Sequence, residues 1–266
     1  MSRWTIEKPE QLTFGPVTGL SVRIVGGHLA VLASEGPPTL EVSEIRGAPL
    51  VVEHDEEGWL TVSYGDLTWD GVLGWLRSGD RRCVLTLTVP KECPVQAGVI
   101  TAGAVLAGFE GRTRVKSVSG NIVLDGVSGD IAADTVAGTV ESRALAGDLT
   151  FSSVSGELTV ADGVPHRLRA KTVTGRITAD LELTPTGNVA FSSISGAVFV
   201  RLPRTVHTDV SLKSTSGTLE SEFPGLVNGG GPGQRSLSGR LGGGMASLRA
   251  TTVSGEITLL SKDTQA

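Results

Sequence analysis

The sequence predicts an all-β chain, a single-chain β-solenoid of the β-helix kind with a strand-rich N-terminal section that forms its first coils or a cap. Three observations predict it. From Val118 to Asp162 the chain repeats in nines, V-S-G-N-I-V-L-D-G, V-S-G-D-I-A-A-D-T, V-A-G-T-V-E-S-R-A, L-A-G-D-L-T-F-S-S and V-S-G-E-L-T-V-A-D, which sets Gly120, Gly129, Gly138, Gly147 and Gly156 at a fixed interval. The same turn motif returns as T-V-T-G, S-I-S-G, S-T-S-G, S-L-S-G and T-V-S-G, whose glycines are Gly175, Gly196, Gly217, Gly239 and Gly255. Finally, glycine reaches 36 residues while aromatics are only 4%, so Val, Ile, Leu and Ala must fill thin layers rather than a thick globule.

Residues 1–95 read as a separate β-rich section or cap. Alternating apolar segments recur at Leu20 to Val25, Leu29 to Ala33, Thr39 to Val42, Leu50 to Glu53, Trp59 to Tyr64 and Cys83 to Val89, the period-two signature of short strands. One segment departs from it. In D-L-T-W-D-G-V-L-G-W-L-R-S-G, Trp69, Val72, Leu73 and Leu76 fall at the spacing of one helical face, while Gly71 and Gly74 weaken a helix by up to ~1 kcal/mol each. A short helix and a hydrophobic loop both fit. Trp69, Val72, Leu73, Trp75 and Leu76 either cover the end of the solenoid or form a docking patch for a protein partner.

Pro90 and Pro94 separate that section from the array at 96–266, made of nonamers at 118–162 and longer coils at 163–262. In the nonamers Val118, Ile122 and Leu124, or Leu145, Leu149 and Phe151, are expected to point inward, with the glycine supplying a permissive bend. Paired nonamers make a coil of about eighteen residues, which stacks Asn121, Thr139 and Glu157 in one outer column and Asp130 and Asp148 in another. Beyond Asp162, Pro165, Pro185, Pro203 and Pro224 are expected in loops at one edge, where a missing amide costs least.

The units V-K-S-V-S-G-N-I-V-L, F-S-S-V-S-G-E-L-T-V and A-T-T-V-S-G-E-I-T-L, preceded by the V-L-T-L-T-V-P-K segment at Val84 to Lys91, resemble the bacterial putative-adhesin family with a β-strand repeat. The resemblance covers residues 15 to 260 and implies a β-solenoid with no established catalytic residues. The bactofilins, cytoplasmic polymerising β-helices, are a looser analogy of architecture.

Other chemistries are poorly served. Net charge is −5 and the sequence pI about 5.4, so no global positive field gathers nucleic acid. No stretch approaches a membrane-spanning length, the first ten residues lack a secretory apolar run, and the expected location is cytoplasmic. Cys83 and Cys93 lack metal or redox spacing and read as small buried hydrophobes, a bridge between them requiring residues 88–92 to close a hairpin. The nonamers carry one dependable glycine each, too few for the G-G-x-G-x-D calcium repeat. Asp125, Asp134, Asp162 and Asp180 are the acids a polysaccharide-cleaving β-helix would need, yet each adjoins a turn or strand end where Asp is common. His28, His54, His166 and His207 form no metal-ligand spacing, and the run from Gly225 to Ser236 lacks the phosphate-loop pattern and reads as a flexible connection.

The expected function is a non-enzymatic structural or interaction scaffold with no cofactor, binding a protein partner or itself. An extracellular carbohydrate-binding protein and a polysaccharide lyase or hydrolase are the alternatives. The last coil, at about 250–262, is expected to expose an unpaired edge and to pair end to end with a second copy.

Overall fold

The repeat motif works as a corner, and each of its positions has a separate reason. In Thr172–Gly175 the first hydroxyl accepts the Gly175 amide at 2.9 Å. The second, on Thr174, donates to the carbonyl of Val154 one repeat earlier at 3.4 Å. The residue between them, Val173, points into water and is 38% exposed. Gly175 is buried with no positive φ, and a Cβ there would overlap the carbonyl of Gly156. Gly156, Gly196, Gly217 and Gly255 meet a neighbouring glycine carbonyl in the same way. Close approach between successive repeats, rather than a permissive bend, is what demands glycine in this column.

The computed structural model describes residues 1–65, 81–231 and 233–263, and every regular element among them is a β-strand. The chain divides into two compact units, Met1–Asp130 and Ile131–Ala266.

The first unit contains β1 (Ser2–Ile6), β2 (Glu10–Thr13), β3 (Gly19–Ile24), β4 (Gly26–Ala33), β5 (Thr39–Arg46), β6 (Leu50–His54), β7 (Trp59–Tyr64), β8 (Arg82–Val89), β9 (Val95–Val99), β10 (Gly103–Ala107), β11 (Thr113–Ser117) and β12 (Ile122–Asp125). Two sheets are built, and the consecutive pairs β3/β4, β7/β8, β9/β10 and β11/β12 each contribute one strand to either sheet and so make one rung. One sheet runs β7–β3–β9–β11 in parallel, and the other runs β8–β4–β10–β12. Space and sequence order differ here, because the β3/β4 rung lies between β7/β8 and β9/β10. Beyond β7 and β8 the pairing turns antiparallel, with β6 and then β1 on one sheet and β5 and then β2 on the other. The alternating segments expected from the sequence are all strands, whereas β1 and β2 are short, largely polar strands that alternation did not pick out.

Strand β13 (Ser128–Thr135) contains the division between the units. The second unit continues with β14 (Val140–Arg143), β15 (Ala146–Ser153), β16 (Leu158–Thr172), β17 (Ile177–Leu181), β18 (Asn188–Ser193), β19 (Val198–Pro203), β20 (Thr208–Ser214), β21 (Leu219–Ser221), β22 (Val227–Gly229), β23 (Arg235–Leu241), β24 (Ala246–Thr252) and β25 (Ile257–Lys262). Strand β16 serves both sheets and bends at Asp162, whose φ of 52° is left-handed. One sheet has the spatial order β15–β16–β18–β24–β20–β23–β22. The other has β14–β16–β17–β19–β25–β21. In register, Val140 pairs with Leu158, Leu158 with Ile177, and Ile177 with Val198. Inward residues such as Leu149, Phe151, Leu168, Leu248, Ile177 and Leu259 are at most 1% exposed and form an aliphatic core between the sheets.

Several expectations are corrected. The last rung, β24/β25, is not an open edge: β24 pairs with β18 on one side and β20 on the other, and β25 with β19 and β21. Its backbone groups are already spent, which removes the reason for end-to-end pairing through residues 250–262. Val118 is half-buried and Ser117 takes the inward place, because the apolar residue of the corner faces water. Gly239 is not a corner glycine; S-L-S-G at 236–239 lies inside β23, antiparallel to β20. Gly129 and Gly147 sit at strand starts with φ of 87° and 114°, a different corner from that of Gly120 and Gly138. Part of the glycine-rich run is strand β22, paired with β23, and Pro165 lies within β16 at a register shift. Cys83 and Cys93 are both buried and both free, with no bridge.

Candidate functional site

The outward face of the β15–β16–β18–β24–β20–β23 sheet is built from residues that alternate with the core. Reading across the strands in register, one row is Thr150, Arg169, Ala190, Arg249, Ser211 and Ser238. The next row, two residues along, is Ser152, Lys171, Ser192, Thr251, Lys213 and Ser236. Except for Ala190, every side chain in the twelve is a hydroxyl or a cation, and none is acidic. Strands lie about 4.8 Å apart, which puts Arg169 and Arg249 roughly 10 Å from each other and Lys171 and Lys213 roughly 14 Å. Arg169, Lys171, Lys213 and Arg249 are all exposed and reach no acidic partner among the described residues.

The boundaries of this patch are defined. On one side the next row holds Asp148 bound to Arg167 at 3.2 Å and Asp209 bound to Arg240 at 2.8 Å, so its acids are neutralised. At the β15 edge the adjoining strand β13 presents Asp134 outward. On the opposite side the corner residues form an aliphatic ridge: Val136, Val154, Ile194 and Val253 are 48–52% exposed, with Val173 between Val154 and Ile194. The ridge is continuous because each corner amide bonds the preceding corner carbonyl, as from Val173 to Val154 at 3.2 Å and from Val253 to Ile194 at 3.2 Å.

A second feature is a cleft of about 440 Å³ lined by Asp162, Asp180, Glu182, Arg201, Pro203, Lys262 and Asp263. Two of the acids considered for polysaccharide chemistry, Asp162 and Asp180, therefore line one cleft, while Asp125 and Asp134 lie elsewhere. Asp180 is held by Arg201 Nε at 2.9 Å and by Lys262 Nζ at 2.7 Å. Partial burial opposes its ionisation, but the hydrogen bonds from Arg201 and Lys262 prevail and hold the carboxyl below its usual range. A general acid needs the opposite shift, so this carboxylate is suited to fixing β17, β19 and β25 together rather than to donating a proton.

Trp69, Val72, Leu73, Trp75 and Leu76, with the helical spacing they carry, lie outside the described residues. His54 bonds the carbonyl of Pro16 and His207 accepts the amide of Gly243 at 2.6 Å. Among the described residues no group of three His, Cys, Asp or Glu side chains could hold a metal ion, and no helix is long and apolar enough to cross a membrane. Burial pushes both thiols up, Cys83 to about 11 and Cys93 to about 11, so neither is a ready nucleophile.

The basic rows escaped the sequence reading although a signal was present. Cations stand at fixed offsets before the corner in R-V-K-S-V-S-G, R-A-K-T-V-T-G, S-L-K-S-T-S-G and R-A-T-T-V-S-G. Whole-chain charge hid them, because a net −5 averages over all faces.

No family's sequence profile matches the chain, and no curated protein sequence matches it. Among solved structures, a putative adhesin from Parabacteroides distasonis aligns over 96% of this chain and 96% of its own at 12% identity and a TM-score of 0.44. A putative adhesin from Bacteroides fragilis aligns over 97% of each chain at 10% identity and a TM-score of 0.42. A putative lipid binding protein from P. distasonis aligns over 95% of this chain and 97% of its own at 12% identity and a TM-score of 0.41. At these identities and scores no ligand and no activity passes from them to this chain.

Proposed function

We propose that the protein is a non-enzymatic β-solenoid scaffold that binds through a broad, flat sheet face. The solenoid reading is supported by the rungs paired in parallel register from Val140 to Leu158 to Ile177 to Val198, and by the glycine column that lets each rung close onto the next. One observation carries the binding reading: two adjacent rows over six strands hold only hydroxyls, one alanine and four cations without acidic partners. Four unneutralised cations on one face give it a local positive potential that the whole-chain charge of −5 conceals, and such a field suits an anionic partner. The reading of the family resemblance, an adhesin-like role without catalysis, fits this surface.

The test is chromatographic. Despite its net charge of −5, the protein should be retained on a sulfonated cation exchanger at low salt and pH 7, and a variant with Arg169, Lys171, Lys213 and Arg249 all changed to Thr should flow through. A wild type that is not retained overturns the proposal.

A further inference from the structure

The four cations and the hydroxyls between them define a ligand chemistry, and this inference rests on the binding face proposed above. A linear acidic polysaccharide presents carboxylates at regular intervals along a hydroxyl-rich chain, and both features have counterparts here. Arg169 and Lys171 flank Ser192 and Ala190, Arg249 and Lys213 follow after one and two further strands, and Ser152, Thr150, Ser211, Thr251, Ser236 and Ser238 supply hydroxyls beside each cation. Arg can take a carboxylate in a bidentate pair, and Ser and Thr can donate to or accept from a sugar hydroxyl. The face is also ordered in advance: each of its six strands has a paired neighbour on both sides, the outermost being β13 beside β15 and the three-residue β22 beside β23.

Other polyanions fit less well. Single-stranded nucleic acid is held by aromatic platforms between the cations, and these rows contain no aromatic residue. Membrane surfaces are bound by cations backed by large apolar side chains that enter the lipid, but the ridge at this edge offers only half-exposed Val and Ile, and while Lys171 and Lys213 adjoin it, Arg169 and Arg249 stand a further row away. We infer that this face binds a linear, carboxylate-bearing polysaccharide of the polyuronate type, laid across the strands so that its carboxylates meet Arg169 and Lys171 together on β16, then Arg249 on β24 and Lys213 on β20.

The experiment uses the full chain with polygalacturonate as the probe and neutral dextran, phosphatidylserine-rich vesicles and oligo-dT as comparators, at matched salt. Polygalacturonate should bind, dextran should not, and binding should weaken steeply as salt rises. Changing Arg169, Lys171, Lys213 and Arg249 together to Thr, a residue suited to strands, should weaken binding by about tenfold or more. A second variant removes the same charge elsewhere, with Arg3, Arg46, Arg112 and Arg143 changed to Thr; each is exposed and engaged in a surface ion pair worth little, so binding should stay within about twofold of wild type. Equal losses in both variants, or vesicles or oligo-dT binding more tightly than polygalacturonate, overturn the inference. Retention on the exchanger without polygalacturonate binding overturns the ligand and leaves the binding face standing, whereas loss of retention removes both.

Discussion

Thr252 and Ser214, 38 residues apart in the sequence, share a buried hydrogen bond of 3.0 Å. They are neighbours because the β24/β25 rung is threaded between a rung that precedes it directly in space, β18/β19, and one that precedes it in sequence, β20/β21. Removing that rung therefore takes a layer out of the middle. A chain ending at residue 245 should lose cooperative melting and become protease-sensitive from β18 to β23, where loss of a true end rung would leave the rest folded. A sharp melt for the shortened chain, close to that of the full chain, would contradict the threaded order.

The glycine column predicts sharply different costs for one methyl group. Gly175→Ala would push a Cβ into the carbonyl of Gly156, whereas Gly231 has open space around it. The first should cost ~3 kcal/mol or more, at or beyond the upper end of ordinary over-packing, and the second less than ~0.5 kcal/mol. Chemical denaturation of both variants gives the comparison, and equal midpoints would count against backbone packing as the reason for glycine.

Two apolar residues of the same repeat should respond oppositely to a charge. Leu149 is 1% exposed and Leu149→Asp should cost several kcal/mol, while Val154 is 52% exposed and Val154→Asp should stay within about 0.5 kcal/mol. A large loss from Val154→Asp would show that the ridge is covered in the folded protein.

Asp180 predicts an acid-sensitive contribution. Its folded value lies below the unfolded one, so the stabilisation is fully present above the ordinary carboxylate range near ~3.9 and disappears as pH falls through the lower folded value. Asp180→Asn should cost about 1–3 kcal/mol at pH 7, since the carboxylate is only 14% exposed and receives two charged donors. Urea midpoints of wild type and variant should converge at strongly acidic pH, and a gap independent of pH would exclude this role.

The thiols should be inert in the folded state. With both groups buried and raised to about 11, alkylation by iodoacetamide at pH 8 should be slow until denaturant is added. Rapid native labelling of either Cys83 or Cys93 would refute this.

The layered β-architecture was legible because the nine-residue period reports directly on strand and corner length. Ile122, Leu124, Leu145, Leu149 and Phe151 are all buried as alternation requires. Val118 misled because composition cannot separate an apolar residue that packs from one that a corner turns outward; the buried hydroxyl three residues before Gly120, Gly138, Gly175, Gly196, Gly217 and Gly255 was the better marker of the inside. Gly239 misled for a related reason: S-L-S-G spells the corner, yet Leu237 is buried within a strand that returns antiparallel. Threading was not legible at all, since nothing in a linear repeat says which edge its last copy will occupy. The basic face was legible only in register, once Lys171 and Lys213 are seen three strands apart in one row.

The threaded rung also bears on how such a chain can change length over evolutionary time. A copy appended after Lys262 could not pair with the strand it follows, because β19 and β21 already occupy both flanks of β25. A duplicate of the stretch around β14 and β15 meets no such obstacle, for parallel neighbours there accept another layer of the same corner chemistry. Growth from within, at the nine-residue repeats, is the route this topology leaves open, and tolerance to inserted copies should be greater there than directly after β25.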